Sequence, residues 1–408
     1  MKILSKYMSV FLTTLSIPTI ACTVTLSSYG AVGNGITNDT ESIIRAFNTS
    51  CPDSSEHKII DGENKTYAVY GTLRVADSLN ATLKNIRLKQ TKSGDGGTRT
   101  IFKTHGMLNL NNIYVDRGSD VYTGSPLDSA GIWLQVENSE FYNVEVTGNG
   151  TGNGFFVVGS KNILMDKIYV HDMRWATYSP PQYEMLTGIS ILNSENVTLI
   201  NSRVEKIFGN LGNGIYTRFQ SDGITVGGTK GVKIINTVVE QTGEGIDFTG
   251  SAGNSEFEVL NTTIFDAHSF GFKFANTASN GSIRGSAAYR SGYAGFVVSG
   301  LHGGGNLPIS IYETQNILIE NCRAINTGHD TDWQQGQIIA GFKIMSGHST
   351  NVLPRNIQIR NSIAQNDAEH AGKMRYGFQS ETKGNTVFNV QSTGHSASAI
   401  TGFTAALQ

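Results

Sequence analysis

The sequence predicts an all-β chain wound into a right-handed parallel β-helix, a solenoid closed at its start by a short N-terminal capping helix. Two phrases that recur along the chain carry this expectation. The first is seen in NATLKN at 80–85, NSEFYN at 138–143, NVTLIN at 196–201, NILIEN at 316–321 and NIQIRN at 356–361. Aligned on its last residue it gives the column Asn85, Asn111, Asn143, Asp166, Asn201, Asn236, Asn261, Gly285, Asn321, Asn361 and Asn389, with steps of 23 to 40 residues. Periods of this size mark stacked repeats, and their irregularity marks loops of variable length. Amides placed one above another in such a stack hydrogen-bond along it. The second phrase is a Gly followed by an apolar, a variable and an apolar residue: GIWL at 131–134, GFFV at 154–157, GISI at 188–191, GITV at 223–226, GIDF at 245–248, GFKF at 271–274, GFVV at 295–298, GFKI at 341–344 and GFQS at 377–380. Alternation with period two describes strands with one buried face, and no stretch after residue 50 has a helical period.

Each segment follows from this frame. Residues 1–21 read as a signal peptide: Lys2 and Lys6 give a basic start, Ser9 to Ile20 is an apolar run too short to span a bilayer, and Ala21 closes a small-residue cleavage site. The expected location is secreted or periplasmic, with a lipid anchor on Cys22 as the alternative. Residues 22–79 form the N-terminal cap and the first part of the β-helix. Gly30, Gly33 and Gly35 loosen the backbone there, and Asn38 with Glu41 makes a capping box. The helix that follows has Ile43, Ile44 and Phe47 on its apolar face and covers the first open coil. Cys22 and Cys51 flank that helix and can pair in an oxidising compartment, whereas Cys322 sits in an apolar strand as a small core residue. Residues 80–408 are the parallel β-helix domain, one elongated unit rather than two or three ordinary ones. The formal charge of −2, from 31 basic and 33 acidic residues, gives no electrostatic footprint for nucleic acid.

The segment YGAVGNGITNDTESI, followed by Asn-anchored coils, resembles the pectate-lyase-like β-helix superfamily. Polygalacturonases and other glycoside hydrolases, pectate and alginate lyases, mannuronan C5-epimerases and phage tailspikes belong to it. The resemblance implies a substrate groove on the outer face of one sheet. It leaves the reaction to be argued from the site. The insertions 117–130, 172–187, 206–221, 327–340, 367–376 and 299–315 all border the GΦxΦ sheet, Φ being apolar, and are expected to wall that groove.

In GΦxΦ the apolar residues face inward and x faces the groove. That column reads Trp133, Phe156, Ser190, Thr225, Asp247, Lys273, Val297, Lys343 and Gln379. Trp133, with Trp175 and Trp333 in the bordering loops, is expected to stack on sugar rings, and Tyr178, Tyr183, Tyr216 and Tyr293 add aromatic density. The charged constellation lies between residues 218 and 290: Asp222, Glu244 and Asp247, with Lys273, Arg218, His268 and Arg290 around them. Coils stacked at about 4.8 Å would bring Asp222, Asp247 and Lys273 into one sugar subsite. Paired carboxylates at such range act as acid and base on a glycosidic bond.

SDGITV followed by TGEGIDF is similar to the NTDGI and GDD elements of polygalacturonases, which implies catalytic roles for Asp222 and Glu244. That family's GHG and RIK elements are replaced by SFGFKF and AGFVVS. GEGIDF also resembles the YGFDPH element of C5-epimerases, which implies a catalytic Asp247. The expected function is therefore a secreted polysaccharide-degrading enzyme that hydrolyses glycosidic bonds with Asp222, Glu244 and Asp247. One alternative is a lyase or C5-epimerase acting on a uronate glycan, with Lys273, Arg218 or Arg290 neutralising the carboxylate and Tyr216, Tyr293 or His268 as base. A second is a non-catalytic β-helix that binds glycan. The expected partner is a polysaccharide, with no cofactor unless a lyase reaction recruits calcium. His329, Asp330 and Asp332 are read as solvated loop residues rather than a metal site, and His171 with Asp172 as residues at the groove margin.

Overall fold

The computed structural model describes residues 21–51, 57–92, 99–118, 129–148, 152–174, 186–208, 221–249, 253–300, 314–328, 339–346 and 353–405. Within them the chain is a right-handed parallel β-helix, every strand pairing with the equivalent strand of the next coil. A 12-stranded sheet holds all nine GΦxΦ phrases, and a 24-stranded sheet wraps over the remaining faces. Pairing reaches back to Ala21–Thr25, which lies beside His57–Asp61, so the segment before residue 80 forms the first coils of the same stack.

The alternating pattern explains the core. Ile132, Phe155, Ile189, Ile224, Ile246 and Phe272 are fully buried inside the helix, and Phe272, Phe296, Phe342 and Phe378 continue the same column as a stack of rings. Their successive centroids are 4.7, 4.7 and 4.8 Å apart, the rise of one coil, with interplanar angles of 9°, 6° and 8°. The glycine of each phrase is fixed by close approach. A Cβ on Gly245 would lie 2.5 Å from the Gly271 carbonyl oxygen and 2.6 Å from the Ile264 side chain.

The recurring phrase marks two asparagine columns rather than one. The first Asn of several copies is also laddered, Asn162 donating to Asn138 at 2.9 Å, Asn196 to Asn162 at 3.1 Å, and Asn356 to Asn316 at 2.7 Å. The last Asn turns the corner between the faces of the large sheet in the left-handed region, which Asn tolerates. Two members of the expected column shift by one residue. Tyr142 pairs with both Asn111 and Asp166, so the corner residues are Asn112 and Lys167, with φ of 56° and 57°. Asp166 still accepts the ladder hydrogen bond from Asn201 at 3.0 Å.

The helix spans Thr40–Asn48 and buries Ile43, Ala46 and Phe47 over the first coil, with Ile44 half-buried against them. Its start differs from the expected capping box. Asn38 Oδ1 accepts from Thr40 rather than pairing with Glu41, while Asp39 accepts from the backbone N–H groups of Val32 and Gly33. Cys22 and Cys51 form a disulfide with Cα atoms 6.0 Å apart, and Cys322 is a buried thiol. No helix among the described residues is long and apolar enough to cross a membrane.

Candidate functional site

The outward column of the 12-stranded sheet runs in register through Phe102, Trp133, Phe156, Ser190, Thr225, Asp247, Lys273, Val297, Lys343 and Gln379. A second outward column lies one step before each glycine: Asn153, Thr187 and Asp222 pair in sequence. Glu244 follows, because the Gly223 N–H donates to its carbonyl at 2.8 Å. Two columns side by side, on coils one rise apart, put the acids together. Asp222, Glu244 and Asp247 each offer an oxygen within 4.8 Å of the other two.

Lys273, on the next coil, completes the cluster. Its ammonium donates to Glu244 Oε2 at 2.8 Å and to Asp247 Oδ2 at 3.1 Å. Thr225 Oγ1 donates to Asp222 Oδ2 at 2.7 Å. Asp222 and Asp247 are 1% exposed, and Oδ1 of each is buried with no hydrogen-bond partner. Such atoms are costly unless a ligand or a proton satisfies them. Burial, reinforced by the charges of Glu244 and Asp247, pushes the Asp222 carboxyl well above the usual carboxylate range. Burial also raises Asp247, to about 7, against the opposing pull of Lys273. The Lys273 ammonium is disfavoured by burial, but Asp247, Glu244 and Asp222 outweigh that and strengthen its hold on the proton.

Three carboxylates in this arrangement are the described donors nearest to a metal-binding set. Calcium takes six to eight oxygen ligands. Here the Lys273 ammonium already occupies the cation position between Glu244 and Asp247, so the donors fit a lysine-bridged acid cluster better than a metal centre.

The other expected residues divide. Trp133 stands half-buried in the groove column, four rungs from Asp247, its ring 4.9 Å from Phe102 and 5.8 Å from Phe156. The Arg99 guanidinium lies 4.8 Å over it, so one face of the indole is already covered. His268 is a half-buried bend residue just before Phe270–Phe274, its N–H donating to Thr242 at 2.9 Å. Arg290 does not join the acids. It holds a left-handed turn, φ 53°, and makes a two-pronged ion pair with Asp266 at 2.6 and 2.7 Å. His171 lies on the large sheet, bonded to Glu145 and Asp172. Arg218, Tyr216, Trp175, Trp333, Tyr178, Tyr183 and the His329, Asp330, Asp332 group lie outside the described residues.

The structure adds Thr187 and Asn153, outside the x positions, and supplies partners for Ser190 and Lys343 within them. Thr187 adjoins Asp222 with its buried Oγ1 unpartnered, and Ser190 donates to Asn153 at 2.5 Å. Beyond Lys273, buried Lys343 donates to the Tyr293 hydroxyl at 2.8 Å and lies 3.4 Å from Glu381. Burial lowers the affinity of Lys343 for its proton and raises that of Tyr293. Phe270, Tyr293, Ala294 and Val297 form an apolar patch between the two lysines. The signal that would have located Thr187 and Asn153 is the position before each GΦxΦ glycine.

Comparison with known proteins agrees with this architecture. No curated protein sequence is significantly similar. Among solved structures, the Dettilon tailspike protein is 13% identical, TM-score 0.59, over 93% of this chain and 68% of its own. The Streptococcus pneumoniae surface protein and adhesin PfbA is 12% identical, TM-score 0.56, over 94% and 100%. The catalytic domain of GH87 α-1,3-glucanase in complex with nigerose is 13% identical, TM-score 0.54, over 97% and 69%. Identities this low establish the fold alone. The family model for the right-handed beta helix region matches residues 187–404, more than half of the sequence and all three acids, and the chain belongs to that family.

Proposed function

We propose that this protein is a secreted polysaccharide-degrading enzyme that hydrolyses glycosidic bonds in a groove over the acid cluster. The observation that carries the reading is a group of three neighbouring buried carboxyls at one point on the sheet, bridged on one side only by an ammonium. Burial and the neighbouring acids favour the protonated form of Asp222, while the Lys273 ammonium favours the ionised form of Asp247. Hydrolysis needs such a pair: an acid to protonate the leaving oxygen and a base to draw a proton from water. With Oδ2 engaged by Thr225, the unpartnered Oδ1 of Asp222 is the atom that donates. Asp247, whose Oδ1 is also unpartnered, takes the proton from water, and Glu244 with Lys273 holds it in place. Trp133, half-buried between Phe102 and Phe156, offers the uncovered part of its indole for stacking on a sugar ring. Similarity in fold to a glucanase is compatible with this chemistry and adds no residue to it.

Elimination and epimerisation fit the site less well. Both need a cation to neutralise a uronate carboxylate. Among the described candidates, Lys273 is engaged by two acids and Arg290 by Asp266. The export-type N-terminus and the Cys22–Cys51 disulfide favour secretion.

The test is incubation of the purified protein with a panel of polysaccharides, reading reducing ends and the ultraviolet absorbance of unsaturated products together. The expected result is reducing ends without absorbance, lowered about 10²–10⁴-fold in Asp222→Asn and Asp247→Asn. Absorbance from an unsaturated product would establish elimination instead. Glycan binding with product release unchanged by either substitution would mark a non-catalytic binder.

A further inference from the structure

We infer that the glycan held along this face is uncharged over the stretch from the Phe156 rung to the Lys343 rung, so that the groove takes neutral sugars and rejects polyuronates. The inference rests on the proposed reading of this face as a glycan groove and names its substrate class. Four observations support it.

On the N-terminal side of the acids the floor is polar and uncharged: Asn153, Thr187, Ser190 and Thr225, backed by Phe156. Thr187 Oγ1 is buried there without a partner, poised for a sugar hydroxyl. At the centre, the unpartnered buried atoms are Oδ1 of Asp222 and Oδ1 of Asp247. An ionised carboxylate oxygen only accepts, and a hydroxyl both donates and accepts. Sugar hydroxyls therefore satisfy both oxygens whatever their protonation, whereas the carboxylate of a uronate has no proton to give and adds like charge.

On the C-terminal side Phe270, Ala294 and Val297 form a buried apolar cluster, which offers a sugar carboxylate no polar partner. The cations of this stretch are already matched. Lys273 lies between Glu244 and Asp247, and Lys343 lies 3.4 Å from Glu381. Among the described residues of the floor, these three carboxyls with Asp222, against two lysines, leave no surplus positive charge for a row of uronates. Arg99, which covers Trp133, stands beyond the stretch.

The test uses the full chain in native gels containing polygalacturonate or hyaluronate, each against its carboxyl-reduced form, which keeps linkage and length while removing charge. The expected result is tighter retention by the reduced member of each pair, by about a hundredfold, the factor for one unit of like charge at about 6 Å in an effective dielectric of about 20. Thr187→Val, which keeps the shape and removes the hydroxyl, should weaken retention by the reduced form about fivefold, one hydrogen bond's worth. Equal or tighter retention by the acidic parent would overturn the inference, as would a Thr187→Val variant that binds the reduced form unchanged. Failure of the hydrolytic reading is seen separately, as retention without release of reducing ends.

Discussion

Replacing Asp247 with Asn should stabilise the protein in mildly alkaline solution while removing its activity. The carboxyl is 1% exposed and its proton affinity is raised from 3.8 to about 7, burial being the largest cause. A carboxyl raised on folding contributes stability that is fully present below its unfolded value and is lost as pH climbs through its folded value. Between about pH 4 and 7 the wild-type protein therefore loses stability that the amide, having no charge to bury, retains. At about 1.4 kcal/mol for each tenfold change in proton affinity, the loss reaches about 4 kcal/mol above pH 7. The amide forfeits the charge-assisted hydrogen bond from Lys273 at 3.1 Å, but Lys273 keeps Glu244 at 2.8 Å. The net expectation is a variant about 2–4 kcal/mol more stable than wild type near pH 8 and indistinguishable from it near pH 4. Urea denaturation of both proteins across this range, with slopes compared to confirm a common two-state transition, measures the difference directly. A variant less stable than wild type near pH 8, or a difference that does not change with pH, would refute the reasoning.

Lys273→Met should act in the opposite sense. Removing the cation leaves the buried Glu244 and Asp247 without their counter-charge, costing about 3–5 kcal/mol near pH 8 and less as protons replace it at lower pH; denaturation at two pH values checks this. Phe296→Ala should cost about 3–5 kcal/mol at every pH, because it opens a gap in the ring column between Phe272 and Phe342; a thermal melt reads it. The rate of glycan cleavage should follow a bell-shaped pH profile. Its acid limb is lost when Asp247 protonates and its alkaline limb when Asp222 gives up its proton, and Asp222→Asn should abolish the alkaline limb along with most of the rate.

The fold was legible because stacking forces equivalent residues into equivalent environments, and environment selects residue type. Every GΦxΦ phrase became a strand of one sheet, since its glycine, its inward residues (apolar except Ser380) and its outward x are each imposed by the neighbouring coils. The corner residues were harder. Near 111 and 166 the phrase has two adjacent polar residues, Asn111–Asn112 and Asp166–Lys167, and only backbone geometry decides which one turns. Asp222, Glu244, Asp247 and Lys273 could be brought together from sequence because their places in three successive phrases fix them on neighbouring coils. Arg290 was misplaced, because nearness in sequence to the site strands does not reveal that a turn directs the side chain to Asp266. Thr187 is marked only by its place before a phrase glycine, and nothing in the local sequence of Glu381 marks it until the coils are superimposed.

The most direct test of the account is the protonation state of Asp222 at neutral pH, on which the division of labour among the acids depends. Infrared difference spectra between wild type and Asp222→Asn near pH 7 should show the loss of a protonated buried carboxyl and no loss of a carboxylate. Loss of a carboxylate band instead would mean that Asp222 is ionised beside Glu244 and Asp247, leaving no acid at that position to protonate a glycosidic oxygen.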